Sequence, residues 1–198
     1  RSVSRGLGDV YKRQHQANQE LLDKIHSFRG SQALIFDLDS THSDTYGHQE
    51  SAAYNSHYGT VGFHPLVAFD GGTGDFLKAQ LRPGNVYTSN GVVPFIQPLM
   101  EHYNEKFPST TLFVRGDSGF AVPGLYELCE KESVYYIIRL KSNAILQQLA
   151  EEYHPSTSPS DITKTEVYYE ETIYQAKSWD QPRKVILSLI HISEPTRH

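Results

Sequence analysis

The sequence has little cysteine and no long apolar run. Its single cysteine, Cys129, excludes an internal disulfide framework and a Cys-rich zinc site, and it fits a reducing compartment. Its longest apolar runs are far shorter than the ~20 residues that cross a bilayer, so we expect no membrane partner. With 198 residues, of which 38% are hydrophobic and 12% aromatic, the composition is that of a globular chain with one ordinary core.

Basic residues are also scarce. The chain has 18 Lys and Arg against 23 Asp and Glu, which gives a formal net charge of -5. A protein that grips nucleic acid over a broad surface needs the opposite balance. A nucleic-acid function therefore requires a local source of positive charge.

The two ends of the chain share a coding symmetry. Residues 4–14 (SRGLGDVYKRQ) and residues 187–197 (LSLIHISEPTR), read backwards, have codons that are reverse complements at every position, as when Gln14 is CAG and Leu187 is CTG. The implied string resembles a sequencing-library adapter, and a natural terminal inverted repeat is the alternative. We expect residues 1–14 and 187–198 to be adapter-derived, not native. The segment between them is then a fragment of a longer protein, with a net charge of -8.

The pattern of apolar residues predicts an α/β fold. We expect strands at residues 32–39, 63–70, 76–82, 111–115 and 134–139, helices at 17–28, 92–107, 125–131 and 145–153, an ordered loop at 43–62, and a strand or hairpin at 163–176. Pro94 and Pro98 are expected to interrupt the second helix early. A three-strand antiparallel meander followed by βαβ crossovers gives a mixed sheet with helices on its faces, and a ribonuclease-H-like layer fits that order, which several other α/β folds share.

Three aspartates follow or end predicted strands. Asp37 and Asp39 are two residues apart at the end of the first strand, so their side chains share one face of the sheet. Asp117 follows the strand at 111–115. Carboxylates that converge at neighbouring strand tips commonly hold a divalent cation such as Mg²⁺ or Mn²⁺. The alternative from spacing alone is that these aspartates cap strands or turns.

Three longer segments carry a family resemblance. LIFDLDSTHSDTYGHQE (34–50), YGTVGFHPLVAFDGGTGDFLKAQLRPGN (58–85) and LFVRGDSGFAVPGLYELCE (112–130) resemble the catalytic domain of DDE transposases from bacterial insertion sequences. The resemblance selects Asp39, which is followed by a small hydroxyl residue, and Asp117 as catalytic metal ligands, with Asp37 as a further metal ligand. It implies a ribonuclease-H-like core at 15–142, a two-metal Mg²⁺ or Mn²⁺ site, and cutting and joining of double-stranded DNA at transposon ends and target.

The sequence departs from this family in one respect. The family's third carboxylate is a glutamate on a late helix after a β-rich insertion, and Glu166, Glu170 and Glu171 do not match it. They resemble the start of that insertion, which we place at residues 143–186. We therefore expect two of three metal ligands and no transposition by this fragment. The resemblance further implies a homodimer for the full-length protein and a place in the bacterial cytoplasm at the nucleoid.

Five basic residues are candidates to contact DNA phosphates near the metals: Lys78, Arg82, Arg115, Arg139 and Lys141. The alternative for each of them is a solvated charge at a sheet edge. In such transposases DNA-end recognition is spread over regions outside the core, which would reconcile an acidic core with DNA binding.

Other functions remain open from sequence. A metal-dependent nuclease on the same fold would keep both aspartates and would hydrolyse DNA without joining ends. A noncatalytic DNA-binding or interaction remnant would need neither, and a defective remnant would never be expressed. Four histidines could ligate a transition metal, but they lack the i,i+4 helical spacing that would support it: His42, His48, His57 and His64.

Overall fold

The computed structural model describes residues 3–153 and 166–191 of the chain, which divides into two compact units, Arg1–Leu140 and Lys141–His198. The first unit contains strands β1 (Ala33–Ser40), β2 (Ser43–Asp44), β3 (Ala53–Asn55), β4 (Thr60–Phe63), β5 (Leu66–Asp70), β6 (Phe76–Gln80), β7 (Thr111–Gly116) and β8 (Tyr135–Ile138), and helices α1 (Val3–Arg29), α2 (Val92–Lys106) and α3 (Pro123–Lys131). The second unit contains α4 (Ala144–Glu152), β9 (Glu166–Tyr174) and β10 (Arg183–His191).

A five-stranded mixed sheet forms the centre of the first unit. Its strand order is β6-β5-β1-β7-β8, in which β5 is antiparallel to β1 and β6 is antiparallel to β5. Strand β7 runs parallel to β1, and β8 runs parallel to β7. This is the ribonuclease-H-like arrangement predicted from sequence, a meander extended on one side by two βαβ crossovers.

One face of this sheet carries the hydrophobic core. Alternate residues of β1, namely Leu34, Phe36 and Leu38, are buried, while their neighbours point to the other face. The core residues that the helices contribute are Leu22 from α1, Val92, Phe95, Ile96, Leu99, Met100 and Tyr103 from α2, and Leu125, Leu128 and Cys129 from α3. Burial raises the pKa of the Cys129 thiol to about 12, so this cysteine packs as an apolar residue.

Helix α2 is more regular than the sequence predicts. It begins after Gly91, whose φ of 78° lies in the left-handed region that glycine adopts at little cost. Pro94 falls in the first turn, where the backbone N–H groups have no helical acceptor in any case. Pro98 lies inside the helix, which continues past it to Lys106, so the expected interruption is wrong. The buried stripe of α2 outweighs the loss of one hydrogen bond at Pro98.

Helix α1 is held against α2 by a buried carboxylate. Asp23 is 5% exposed and accepts hydrogen bonds from Lys106 Nζ at 2.7 Å and from His102 Nε2 at 2.8 Å. Desolvation raises the pKa of Asp23, but the hydrogen bonds from Lys106, His102 and Gln19 outweigh it and the net pKa is lowered. The helix begins at Val3, so it includes residues that the coding symmetry assigns to adapter.

Residues 43–62 contain more regular structure than the expected ordered loop. Strands β2 and β3 both pair antiparallel with β4 in a small three-stranded sheet. These strands are two to four residues long. Strands this short, in a segment rich in Gly, Tyr, His and Ser, do not produce a readable two-residue alternation.

The second unit has its own elements. Strands β9 and β10 pair antiparallel along their whole length, from Arg183 opposite Tyr174 to His191 opposite Glu166. Asn143 caps α4 by accepting hydrogen bonds from the backbone N–H groups of Ile145 and Leu146. The expected strand or hairpin at 163–176 is thus one arm of a hairpin. Residues 154–165 and 192–198, the latter part of the expected adapter segment, lie outside the described residues.

No helix in the described part of the chain combines the length and apolar character that a bilayer crossing requires.

Truncating the centre of the core tests this arrangement. Phe36 is fully buried and packs edge-on against Tyr103, with ring centroids 5.7 Å apart. We expect Phe36→Ala to lower the free energy of unfolding by about 3 to 5 kcal/mol because it leaves a cavity under α2. Urea denaturation followed by circular dichroism measures this loss. Phe28→Ala is the matched control, since Phe28 is 93% exposed on α1. Equal losses for the two variants would contradict the core described above.

Candidate active site at the tips of β1 and β7

Parallel pairing brings the two predicted aspartates to neighbouring positions. The register of β1 and β7 runs from Ala33 opposite Thr111 to Leu38 opposite Gly116. Asp39 and Asp117 are the next residues on each side of that pairing, at the carboxyl ends of adjacent strands. Adjacent strands lie about 4.8 Å apart, so two carboxylates at equivalent positions are close neighbours. Both residues are exposed.

Each of these carboxylates has one oxygen engaged by the backbone. Asp39 Oδ1 accepts a hydrogen bond from the N–H of Ser40 at 2.7 Å, and Asp117 Oδ1 accepts one from the N–H of Gly119 at 2.8 Å. Asp117 also caps the short 3-10 turn Ser118–Phe120. The Oδ2 atom of each aspartate makes no hydrogen bond within the described residues. These hydrogen bonds therefore fix the orientation of both carboxylates and leave the Oδ2 atom of each available to bind a ligand.

Asp37 lies on the same strand face but has a protein partner. Arg115 faces it across the β1–β7 register, donating from Nε to Asp37 Oδ1 at 2.9 Å and from Nη2 to Oδ2. This hydrogen bonding raises the pKa of Arg115. Both oxygens of Asp37 are thus occupied by a guanidinium fork. A cation at Asp37 would compete with Arg115, whereas a cation at Asp39 and Asp117 would not.

The five predicted phosphate-contact residues lie in different environments. Lys78 donates to the backbone oxygen of Phe95 at 2.7 Å, and burial lowers its pKa. Arg82 is 5% exposed and donates to backbone oxygens, so its guanidinium is enclosed by protein. Arg115 is paired with Asp37. Arg139 and Lys141 are exposed, on the first and second unit respectively.

Arg139 lies beside the aspartate pair. Strand β8 pairs with β7 up to Ile138 opposite Gly116, and the N–H of Arg139 donates to the oxygen of Gly116 at 3.2 Å. Arg139 therefore continues β8 at the level where Asp117 continues β7. Among the five, its position and exposure best suit contact with a phosphate at the strand tips.

A second cluster with metal-ligand chemistry lies at the opposite end of β1. Ligand-type atoms of His26, Asp70 and Asp75 lie within 4.8 Å of one another. The carboxylates are used by the β5–β6 hairpin, since Asp70 accepts from Gly72 N–H at 3.0 Å and from Thr73 Oγ1 at 2.7 Å. Arg29 is hydrogen-bonded to Asp75. Desolvation lowers the pKa of His26. The turn and Arg29 thus engage the two carboxylates, whereas both ring nitrogens of His26 are buried without a hydrogen-bond partner in the described residues. Spacing in the sequence does not reveal this cluster.

The histidines of the β2–β4 region make local contacts. His42 Nε2 contacts Thr60 Oγ1 at 2.7 Å and Asp44 Oδ1 at 3.0 Å, and its ring stacks on Tyr58. His64 Nδ1 contacts the backbone oxygen of Val86 at 2.8 Å. These contacts position the loop that follows β1.

Sequence reasoning missed Thr88, which touches both strand-tip segments. Ser40 Oγ donates to Thr88 Oγ1 at 3.3 Å, and the Thr88 methyl carbon lies 2.8 Å from the place where a Cβ on Gly119 would be. No motif marks this threonine, because its role arises from the folding back of residues 82–90.

The family model described as transposase DDE domain group 1 matches residues 2–196. No curated protein matches the chain.

Three solved structures are similar to this chain. A piggyBac transposase synaptic complex with hairpin DNA has 15% identity and a TM-score of 0.43, covering 78% of this chain and 32% of that one. The catalytic domain of the Mos1 mariner transposase has 9% identity and a TM-score of 0.40, covering 73% and 81%. A simian T-cell lymphotropic virus intasome with PP2A regulatory subunit B56 gamma has 15% identity and a TM-score of 0.38, covering 81% and 75%. The chain thus spans about a third of the piggyBac transposase chain.

Proposed function

Because the chain belongs to the transposase DDE domain group 1 family, we propose that it is the catalytic region of an insertion-sequence transposase, which cleaves phosphodiesters and transfers strands at the ends of the element. The observation that supports this proposal is the β1–β7 register, which ends at Leu38 opposite Gly116, one residue before Asp39 on β1 and one residue before Asp117 after β7. Family membership supports a DNA-cleaving enzyme, and the register supports this particular pair of carboxylates.

The residues at the strand tips suit a divalent metal. Asp39 and Asp117 offer hard oxygen ligands, which Mg²⁺ and Mn²⁺ prefer, and each has an Oδ2 without a hydrogen bond inside the described residues. Two like charges at neighbouring positions also favour a bound cation. We therefore assign these two residues as the metal ligands and treat Asp37, already bound by Arg115, as a less suitable ligand.

Divalent ions held here would supply the chemistry of in-line displacement, in which a water or 3′-hydroxyl is activated and the leaving oxygen is stabilised. The chain's own contribution is orientation. The N–H groups of Ser40 and Gly119 hold one oxygen of each aspartate, which directs the other oxygen outward. The exposure of the pair leaves room for a DNA backbone.

Double-stranded DNA, as transposon end and target, is the partner that we propose. Arg139, exposed at the tip of β8, is assigned to a phosphate near the aspartate pair. A homodimer of the full-length protein in the bacterial cytoplasm, at the nucleoid, completes the proposal. Much of the basic surface for DNA is expected outside this acidic region.

We further propose that this chain contains two of the three carboxylates that bind the metals, Asp39 and Asp117. Glu170 and Glu171 lie on β9, which is a strand of the hairpin in the second unit and not a helix. The third ligand is therefore assigned to a glutamate beyond the β-rich insertion in the parent protein.

Removing either proposed ligand tests the metal site. We expect Asp39→Asn and Asp117→Asn each to weaken Mn²⁺ binding more than about tenfold, because loss of a ligand costs at least as much as loss of a group that orients one. Titration calorimetry with MnCl₂ on the whole chain measures this. The matched control is Asp44→Asn, an exposed strand-end aspartate that is hydrogen-bonded to Thr60. Wild-type affinity in either ligand variant would refute the assignment.

Strand transfer by the 198-residue chain tests the missing ligand. We expect no Mg²⁺- or Mn²⁺-dependent joining of a labelled 3′-hydroxyl end to plasmid DNA, because two carboxylates do not complete the site. A longer chain that includes the downstream reading frame is expected to join ends. Joining by the short chain would overturn the three-ligand proposal, and hydrolysis without joining by the longer chain would favour a nuclease.

Arg139→Gln tests the phosphate contact. We expect weaker DNA binding at every sequence and a salt dependence reduced by about one unit of slope, because one phosphate contact is lost. Fluorescence anisotropy of a labelled duplex over a salt series measures both quantities. Lys24→Gln, an exposed charge removed from α1, is the control that should change neither. An unchanged slope for Arg139→Gln would exclude the contact.

A further inference from the structure

A buried arginine organises the loop beside the aspartate pair. Arg82 follows β6 and is 5% exposed. Its Nε donates to the backbone oxygen of His64 at 2.9 Å, and its Nη1 donates to the backbone oxygens of Asn90 at 2.7 Å and Thr88 at 3.0 Å. One side chain therefore joins the start of β5 to the loop at 87–90.

The direction of these bonds argues for a structural clamp. Every hydrogen bond of the Arg82 guanidinium within the described residues goes to a backbone carbonyl, and burial lowers its pKa. The backbone also closes on itself here, because His64 N–H donates to the oxygen of Arg82 at 2.9 Å. A lysine has a single ammonium, whereas the arginine binds the oxygens of His64 and Asn90 with two different nitrogens, Nε and Nη1.

Thr88, which Arg82 holds, separates the two strand-tip segments. On one side its hydroxyl accepts from Ser40, the residue after Asp39. On the other side its methyl group packs where Gly119 has no side chain, and Gly119 is the residue whose N–H holds Asp117. Strand pairing ends at Leu38 and Gly116, so this contact continues the connection between the two segments beyond the sheet.

We infer that Arg82 and Thr88 are positioning residues for the Asp39 and Asp117 pair. Arg82 fixes the loop at 87–90, and Thr88 in that loop sets the spacing between the backbone after β1 and the backbone after β7. This inference rests on the proposed metal site, and it reassigns Arg82 from a phosphate contact to a group that acts through Thr88.

Thr88→Val is the decisive variant. It keeps the shape of the side chain and removes the oxygen that accepts from Ser40. We expect Mn²⁺ affinity to fall about tenfold, the lower end of the effect of losing an outer partner of a metal ligand, with a thermal midpoint of the metal-free chain close to that of the wild type. Titration calorimetry and thermal unfolding of the whole chain measure these two quantities.

Thr110→Val is the matched control. Thr110 is also partly buried, and its hydroxyl makes one hydrogen bond, to the oxygen of Ser31 at 3.1 Å, at the far end of the sheet. It should bind Mn²⁺ within about twofold of the wild type, because it lies away from the metal ligands. Wild-type affinity in Thr88→Val, or an equal loss in Thr110→Val, would overturn the inference. Absence of Mn²⁺ binding by the wild-type chain would instead overturn the proposed function, and the inference with it.

A compensating pair provides a second measurement that does not depend on Thr88→Val folding. Gly119→Ala places a methyl group 2.8 Å from the Thr88 methyl and 3.0 Å from Asp117 Oδ1, and we expect weaker Mn²⁺ binding, of which only the part due to the Thr88 methyl can be relieved at position 88. Thr88→Ser removes the opposing methyl and keeps the hydroxyl, so the double variant should recover part of the affinity. Additive losses in the double variant would contradict a spacing role. Arg82→Lys should lower Mn²⁺ affinity in the same direction as Thr88→Val.

Discussion

The parallel pairing of β1 with β7 is the constraint on which the site depends. Asp39 and Asp117 are far apart along the chain, and each is attached to a strand whose alternate residues are anchored in the core. A slip of one residue in either strand would turn its aspartate to the opposite face and its apolar residues to solvent. Burial of Leu34, Phe36 and Leu38 stabilises the register of β1, and the same register determines the position of the Asp39 carboxylate. The same strand register is therefore needed both for packing of the core and for the positions of the two aspartates.

The β1–β7 register also arranges the charged side chains on the sheet face opposite the core. Asp37 faces Arg115 and is hydrogen-bonded to it, whereas Asp39 and Asp117 each follow the last paired residue of their strand and accept no hydrogen bond from a basic side chain in the described structure. Two residues further along each chain, two like charges thus follow a satisfied ion pair. A bidentate arginine satisfies both oxygens of its partner, so repulsion is concentrated at the tip. That difference distinguishes two aspartates that sequence spacing alone treats as equivalent.

The sequence predicts secondary structure well where burial imposes a regular spacing of apolar residues, and poorly elsewhere. The run at 32–39 and the Gly-rich turn between β5 and β6 identified the meander, because apolar runs and turn glycines have direct local causes. The small sheet of β2 to β4 was missed, since strands of two to four residues carry no period. The burial of Arg82 could not be predicted, because composition cannot tell an enclosed guanidinium from an exposed one. Thr88 had no signal, since its two neighbours come from distant parts of the chain.

Burial of Arg82 is a costly way to hold a loop. A desolvated guanidinium loses several kcal/mol of hydration, and backbone carbonyls return that energy only when their geometry is good. An apolar side chain at this position would avoid the cost but could not bind the oxygens of His64, Thr88 and Asn90 from one point. The advantage of the arginine is therefore that its hydrogen bonds hold three backbone oxygens in defined directions. A loop that only had to cover the core would not need such a group, whereas a loop that sets the spacing of two carboxylates would.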